Sequence, residues 1–176
     1  MDTAKIAMLA ASTETQAAMR SYCLGAGFDL THTFGGREIT DDMFDFHVTL
    51  MATKEPVFIP VTDHVIQAIE VTPTGFEVLG KDEDTPVISL DAAGALQLAR
   101  DFFLDVYGAE PTFEDFKPHV SLSYNWSGSP ALDEIELPSF PLLFDRLIVT
   151  EFKPEQKSLL LLWHRKRLPG AHAVYR

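Results

Sequence analysis

Two short segments of the sequence share one pattern, in which a histidine is followed by an apolar residue, a hydroxyl residue and a second apolar residue. They are His47-Val48-Thr49-Leu50 and His119-Val120-Ser121-Leu122. In a β-strand, residues two apart point to the same face. Each histidine therefore projects on the same side as its hydroxyl partner, and the apolar residues face the core. Two imidazoles presented by rigid strands form the kind of preorganised pair that catalysis needs.

The residue types of this pattern suit phosphoryl transfer. A neutral imidazole accepts a proton from an attacking oxygen, and a protonated imidazole gives one to the leaving oxygen near neutral pH. Hydroxyls two residues along the strand donate hydrogen bonds to non-bridging phosphate oxygens, where negative charge develops. The sequence thus predicts a catalytic site of His47, Thr49, His119 and Ser121 that uses no metal ion and no cofactor. His119 is favoured as the base, although the sequence does not decide between the two histidines.

Two other interpretations of the histidines stay open. In the first, a metal ion binds Asp45 and His47 together with Asp41 or Asp42. Thr and Ser are poor metal ligands, and such aspartates are more often solvated loop residues. In the second, both histidines are half-buried strand residues with ordinary hydrogen bonds. The recurrence of the whole pattern at two positions favours catalysis over either alternative.

The composition limits the possible partners. The 176 residues carry 14 basic and 26 acidic side chains, a net charge of −12, whereas tight binding of long nucleic acid needs many cations. A small anionic substrate in a local pocket is compatible with this charge. No apolar stretch approaches the roughly 18 residues of a membrane span, and the N-terminus lacks a signal-peptide pattern. Together with a single cysteine, Cys23, expected in the core, these features predict a cytoplasmic protein without disulfides.

Strand and helix patterns alternate along the chain. Helices are predicted at 12–24, where Ser12 or Thr13 can supply the cap and Thr13 with Gln16 resembles a capping box, and at 91–106. A turn at 73–75 is expected to join the third and fourth strands. In each half, a strand, a helix and a loop precede a histidine strand, which indicates an α+β fold. Strands are predicted at residues 5–10, 44–51, 65–71, 76–79, 86–90, 118–124, 147–152 and 159–163.

At its two histidine motifs the chain resembles the 2H phosphoesterase superfamily, which includes RNA ligase-like proteins and 2′,3′-cyclic phosphodiesterases. The resemblance covers residues 5–153. It implies a bilobal α+β fold in which two pseudo-symmetric antiparallel sheets, flanked by helices, each supply one motif to a central cleft. We therefore expect residues 1–176 to form a single domain, with residues 164–176 as a flexible basic tail.

A narrower resemblance is to the phage proteins that cleave the cyclic oligonucleotide messengers of bacterial CBASS defence. It rests on His47–Val57, HVTLMATKEPV, and on Asp115–Tyr124, DFKPHVSLSY. The resemblance implies cleavage of 3′,5′ bonds in the host cytoplasm without a metal ion. It also implies a carboxylate on a late strand near the site, for which Glu151 is the matching residue. Ser121 departs from the usual Thr but keeps the hydroxyl, and residues before about 40 match poorly.

Further residues near the motifs are candidates for substrate binding. Tyr124 and Trp126 follow the second motif, where an aromatic face can stack on a nucleobase, although either can instead pack at a strand end. Lys54 follows the first motif and can meet a phosphate, unless it is an ordinary solvated lysine. Glu151 can orient a histidine or bind a base edge. The run Arg165-Lys166-Arg167 either attracts phosphate or simply ends the chain in a solvated segment.

The resulting hypothesis is a phosphodiesterase for cyclic oligonucleotide messengers. One alternative is an enzyme of the same superfamily that opens 2′,3′-cyclic phosphates at RNA ends or handles 2′–5′ linkages, and the net acidity counts against long RNA as its substrate. An alternative of another class is a noncatalytic module that binds nucleotides without turnover. Base preference, ring size and oligomeric state do not follow from the sequence.

Overall fold

A computed structural model of the chain describes residues 4–34, 36–53, 58–79, 83–91, 93–111 and 115–151. These residues form two helices, α1 (Thr13–Ala26) and α2 (Ala95–Tyr107), and nine strands. The strands are β1 (Lys5–Ala11), β2 (His32–Phe34), β3 (Arg37–Ile39), β4 (His47–Ala52), β5 (Thr62–Val71), β6 (Pro73–Leu79), β7 (Thr85–Leu90), β8 (His119–Ser121) and β9 (Leu142–Glu151). The pairs within their sheets are antiparallel, which confirms the α+β class for this part of the chain.

The larger sheet has the strand order β4-β1-β9-β5. Six of the seven residues of the inner strand β1 are buried. Only Ser12 separates β1 from α1. Its side chain accepts a hydrogen bond from the backbone N–H of Thr15 and caps the helix, so the helix begins at Thr13. Gly27 ends the helix in the left-handed conformation, with a φ of 93° that favours glycine. α1 therefore starts next to the segment that leads into β4, where Ala11 N donates to Phe46 O.

The smaller sheet has the order β6-β7-β8, and β2 and β3 form a separate hairpin. β7 is the inner strand, and five of its six residues are buried. α2 buries Leu96, Arg100 and Phe103, which lie four and three residues apart and therefore share one helix face. The helix ends, as predicted, at Gly108 in the left-handed conformation.

One hydrophobic cluster joins the two sheets. It includes Leu9 of β1, Val48 of β4, Ile88 of β7 and Val120 of β8. Phe103 of α2 belongs to the same cluster. Because protein interiors are densely packed and deform little, this shared core fixes β4 and β8 relative to each other.

One sequence-based expectation about strand pairing is wrong. β5 and β6 do not form a hairpin, since β5 pairs with β9 in the larger sheet and β6 pairs with β7 in the smaller one. Pro73 and Gly75, expected in a turn, lie in β6 at an irregularity of its pairing with β7. They carry the chain from one sheet to the other instead of reversing it.

The bounds of three elements also differ from the sequence-based ones. β8 ends at Ser121, and β9 already begins at Leu142. α2 begins after Gly94 rather than at Asp91, whose carboxylate accepts a hydrogen bond from Ala93 N. The strand predicted at 159–163 and the tail at 164–176 lie outside the described residues. Within those residues, no helix is long and apolar enough to cross a membrane.

Candidate active site

The two histidine motifs lie on strands that contact each other. His47 is the first residue of β4, and His119 is the first residue of β8. β4 is an outer strand of the larger sheet and β8 is an outer strand of the smaller one, and the two strands are in contact. The fold therefore brings together the two segments that carry the same sequence pattern.

The apolar residues of both motifs are anchored in the shared core. Val48 and Leu50 of the first motif are 0% and 2% exposed. Val120 and Leu122 of the second motif are 1% and 0% exposed, and all four residues belong to one cluster. The predicted alternation is therefore confirmed at the apolar positions of both motifs.

The polar residues of the motifs occupy the other strand face, with unequal exposure. His47, Thr49 and His119 are half-buried. Ser121 is more deeply placed, with 9% of its surface exposed. The hydroxyl of the second motif is thus less accessible than that of the first, although the sequence pattern makes them equivalent.

Both motif histidines make the same contact with the backbone two residues earlier. Nδ1 of His47 lies 3.1 Å from the carbonyl oxygen of Asp45, and Nδ1 of His119 lies 2.9 Å from the carbonyl oxygen of Lys117. A carbonyl oxygen only accepts, so each hydrogen bond requires a proton on Nδ1. In the neutral ring the lone pair is then on Nε2, and in the charged ring Nε2 carries a second proton. With Nδ1 engaged by the backbone, a proton transfer at either ring would use Nε2.

The residues two positions before the two histidines differ in charge. The carboxylate of Asp45 brings Oδ2 to 3.9 Å from Nδ1 of His47, and its Oδ1 accepts a hydrogen bond from Gln16 Nε2 at 2.7 Å. Lys117 stands at the corresponding position before His119. The residue two positions before each histidine is therefore acidic in one motif and basic in the other.

Tyr124 lies in an aromatic cluster with His32 and Phe44. Its ring is stacked on Phe44, with centroids 5.5 Å apart, and the His32 ring meets it edge-on at 4.7 Å. Burial lowers the pKa of His32, so this ring is neutral at pH 7. The cluster joins the flanks of both motifs, since Phe44 precedes His47 and Tyr124 follows β8. Base stacking by Tyr124 stays a prediction.

Trp126 belongs to the loop that follows β8. Its indole N–H donates to the carbonyl oxygen of Pro130 at 2.9 Å, and its backbone N–H donates to that of Asp84 at 3.2 Å. The half-buried ring packs against the hydrophobic core. These contacts attach the tryptophan to its own loop and to the core, and its contact with a base stays a prediction.

Glu151 lies at the far end of the larger sheet from His47. Its carboxylate is 2.5 Å from Nζ of Lys5, whose side chain is 5% exposed. Glu151 pairs with Lys5 of β1, whereas His47 pairs with Ala10 of the same strand. Five residues of strand separate the two rows, about 17 Å at 3.3 to 3.4 Å per residue. A role in substrate binding stays a prediction for Glu151, as it does for Lys54, which lies outside the described residues.

The aspartates before His47 make contacts of other kinds. Asp41 and Asp42 present backbone carbonyls to Arg20. The Asp42 carboxylate accepts a hydrogen bond from the Thr40 hydroxyl, which lowers the pKa of Asp42. Among the residues that the structure describes, no group of three or more His, Cys, Asp or Glu is arranged to hold a metal ion. The metal interpretation therefore finds no donor cluster in this part of the chain.

The affiliation of the chain follows from its match to a family model. The model described as Anti-CBASS protein Acb1 matches residues 34–158, which include both histidine motifs. The chain belongs to the Acb1 family. No curated protein matches it.

The stretch matched to the Acb1 family begins after α1, yet α1 contacts the residues that lead into the first motif. Gln16 bonds to the backbone of Phe46, and Arg20 donates to the carbonyl oxygens of 41, 42 and 44. Sequence analysis missed both roles and interpreted Gln16 as part of a capping box. That interpretation is wrong, because Ser12 caps the helix and the Gln16 side chain turns to a partner thirty residues away.

In this Acb1-family chain, a residue of α2 also contacts the segment that leads into the second motif. The guanidinium of Arg100 lies over the Phe116 ring, 5.0 Å from its centroid, just before β8. Arg100 is 5% exposed. Burial lowers the pKa of Arg100, and the nearby Asp101 and Asp115 act in the opposite direction. Sequence analysis did not single out Arg100. Its position on the apolar face of a predicted helix could have indicated a structural role, because a buried cation needs specific partners.

Proposed function

We propose that the protein is a metal-independent phosphodiesterase that cleaves 3′,5′ bonds of cyclic di- or oligonucleotide messengers and thereby counteracts bacterial CBASS defence. The observation that carries the proposal is the equivalent presentation of His47 and His119 on contacting outer strands, each with Nδ1 at a carbonyl oxygen. Membership of the Acb1 family of anti-CBASS proteins supports the substrate class.

In the proposed reaction, the ribose 2′-hydroxyl beside the scissile phosphate attacks phosphorus. His119, as neutral imidazole, accepts the proton of that hydroxyl at Nε2. His47, as imidazolium, gives its Nε2 proton to the departing 5′-oxygen. The O5′–P bond breaks, and the product is a linear nucleotide with a 2′,3′-cyclic phosphate at one end. Thr49 and Ser121 donate hydrogen bonds to the non-bridging oxygens, where charge develops.

Asp45 supports the assignment of His47 as the proton donor. A general acid must be charged before it reacts, and a carboxylate 3.9 Å from Nδ1 stabilises an imidazolium. The basic Lys117 at the equivalent position gives no such support to a charged His119. This difference in charge favours His119 as the base.

The acidity of the chain is compatible with a small cyclic substrate. A cyclic dinucleotide has two phosphates, so its recognition does not need the distributed cations that long nucleic acid requires. We propose Tyr124 and Trp126 as stacking residues, with Lys54 and Glu151 at the periphery of the bound ring. The bilobal arrangement of the 2H phosphoesterases is supported by two antiparallel sheets that each end in a histidine strand.

The test is incubation of the purified protein with a panel of cyclic di- and trinucleotides and an RNA that ends in a 2′,3′-cyclic phosphate, all with EDTA present. Mass spectrometry should find linear products with cyclic phosphate ends from at least one cyclic messenger. A substrate with 2′-deoxyribose at the cleaved position should bind and remain intact, because it lacks the nucleophile.

Each other result has a definite meaning. Activity lost in EDTA and restored by Mg²⁺ or Mn²⁺ supports the interpretation with Asp41, Asp42, Asp45 and His47 as ligands. Opening of the RNA end alone supports the RNA-end enzyme, and binding without cleavage supports a noncatalytic module. Efficient cleavage of the deoxy substrate means that water attacks the phosphorus directly.

A further inference from the structure

The segment that leads into His47 is held by a side chain in addition to the neighbouring strand β1. β1 ends at Ala11, whose backbone N–H donates to Phe46 O at 3.0 Å. The carbonyl oxygen of Ala11 accepts a hydrogen bond from Gln16 Nε2 at 3.4 Å. The same amide contacts both backbone groups of Phe46: its Oε1 accepts from Phe46 N at 2.9 Å, and its Nε2 donates to Phe46 O at 2.9 Å.

The Gln16 amide thus pairs with Phe46 as a peptide group of an adjacent strand would. It accepts from the backbone N–H of Phe46 and adds a second donor to Phe46 O beside Ala11 N. Phe46 is 1% exposed, and buried backbone groups need such partners. The same Nε2 also donates to Oδ1 of Asp45 at 2.7 Å. Asp45 in turn presents its carbonyl oxygen to Nδ1 of His47. One side chain therefore holds the two residues that precede the catalytic candidate.

Arg20 extends this contact one helical turn further. It lies four residues after Gln16 and therefore on the same helix face. Its guanidinium donates to Asp41 O at 2.9 Å and to Phe44 O at 3.0 Å. The whole lead-in to β4 is consequently fixed to α1, a rigid helix, although this lead-in is not itself a strand.

Before His119, the residue that corresponds to Phe46 is Pro118, which has no backbone N–H to satisfy. The carbonyl oxygen of Pro118 accepts a hydrogen bond from Leu90 N of β7, as that of Phe46 accepts from Ala11 N of β1. The two lead-ins therefore share the strand contact, and the Gln16 amide adds a further contact to the first. A change at Gln16 should disturb His47 and leave His119 in place.

We propose that Gln16 is a positioning residue for His47, through the backbone of Phe46 and the carboxylate of Asp45. The proposal rests on the proposed phosphodiesterase function for its kinetic consequence. Displacement of a catalytic group by about 1 Å costs on the order of 10² in rate, so loss of the Gln16 amide should lower kcat by about 10- to 100-fold. KM should change little, because Gln16 is proposed to act on the histidine and not on the substrate.

The experiment compares Gln16→Leu with the matched control Gln97→Leu. Gln97 is also a half-buried helical glutamine whose Nε2 donates to a carboxylate, that of Asp101 at 2.7 Å on its own helix. The kcat and KM of both variants are measured on the cyclic messenger, and their melting temperatures are recorded. Gln16→Leu should lose turnover at unchanged KM, and Gln97→Leu should keep both constants.

A second readout needs no substrate and therefore separates this proposal from the proposed function. Two-dimensional ¹⁵N–¹H spectra of the histidine rings report the tautomer and environment of each imidazole. In Gln16→Leu the resonances of His47 should move while those of His119 stay at their wild-type positions. If no cyclic nucleotide is cleaved by the wild type, the proposed function fails, and this spectrum still decides the positioning role.

A second substitution covers the case in which Gln16→Leu does not fold. Gln16→Glu keeps the acceptor for Phe46 N but loses the donor to Asp45 and to Phe46 O, and it should show the same selective shift of His47. Wild-type kcat in a folded variant would overturn the proposal. Equal displacement of both histidines together with a lower melting temperature would also overturn it, since it would indicate general destabilisation.

Discussion

His47 and His119 are related as equivalent residues of two different sheets. Each is the first residue of an outer strand, and Nδ1 of each lies within 3.1 Å of the carbonyl oxygen two residues earlier. The short pattern of histidine, apolar and hydroxyl residues produces the alternation of faces, and the backbone contact fixes the tautomer. In the proposed mechanism both rings consequently use Nε2 for proton transfer.

Substitution of either histidine should abolish most of the turnover. His47→Ala and His119→Ala should each lower kcat by about 10² to 10⁴, the usual contribution of one general acid or base. The double variant should lose less than the product of the two single losses, because both residues serve one reaction step. Steady-state kinetics on the cyclic messenger measures all three.

His64→Ala is the control for these variants. His64 is an exposed residue of β5 outside the two motifs, so its loss should leave kcat unchanged. An equal loss in this control would mean that histidine substitution affects the protein in some general way, and retained activity in either motif variant would remove that histidine from the mechanism.

The two motif hydroxyls should contribute less than the histidines. Thr49→Val and Ser121→Ala each remove one hydrogen bond to the phosphate, so kcat should fall by about 5- to 20-fold. The control is Thr62→Val on β5, whose hydroxyl donates to its local backbone at Pro60 O and which should keep full activity. A loss in Thr49→Val as large as that of His47→Ala would assign Thr49 a direct part in proton transfer.

The motif strands were predictable from the sequence because their signal is local. The alternation in Val48 and Leu50, repeated in Val120 and Leu122, depends only on neighbours two residues away. Strand pairing is not local. Thr62 pairs with Val149, and nothing near residue 62 specifies a partner so far along the chain, so β5 was assigned to the wrong neighbour.

Gln16 illustrates the same limit for a side chain. Its position near the start of α1 fits a capping box, which is a local pattern, and Ser12 already supplies the cap. The actual partners, Asp45 and Phe46, come next to Gln16 only because β1 and β4 pair. Sequence reasoning could identify the polar residue but not its distant contact.

Cys23 should be chemically inert in the folded protein. The thiol is 0% exposed, and burial raises its pKa to about 12. The thiolate fraction at pH 8 is then about 10⁻⁴, and the thiolate is the reactive form. Iodoacetamide at pH 8 should modify Cys23 only after denaturation, as followed by intact-mass spectrometry, and rapid labelling of the native protein would contradict the burial.

The raised pKa of Cys23 also predicts a loss of stability in alkali. The unfolded thiol ionises near pH 9 and the folded one near 12, so the folded state binds more protons between these values. The stabilisation is complete below pH 9 and is lost as pH rises towards 12. Denaturant titrations from pH 8 to 11 should show a falling free energy of unfolding, and Cys23→Ala should show a smaller slope with pH.

Glu151→Gln should lower the free energy of unfolding, because Glu151 forms an ion pair with the buried ammonium of Lys5 at 2.5 Å. The carboxylate is 46% exposed, so solvent screening limits the expected loss to about 0.5 to 1 kcal/mol. Urea titration measures it, and Glu134→Gln, at an exposed position of the short 3-10 helix Leu132–Glu134, is the control. If Glu151→Gln keeps wild-type stability and raises KM for the cyclic messenger, Glu151 serves the substrate, and the ion pair with Lys5 contributes little to the fold.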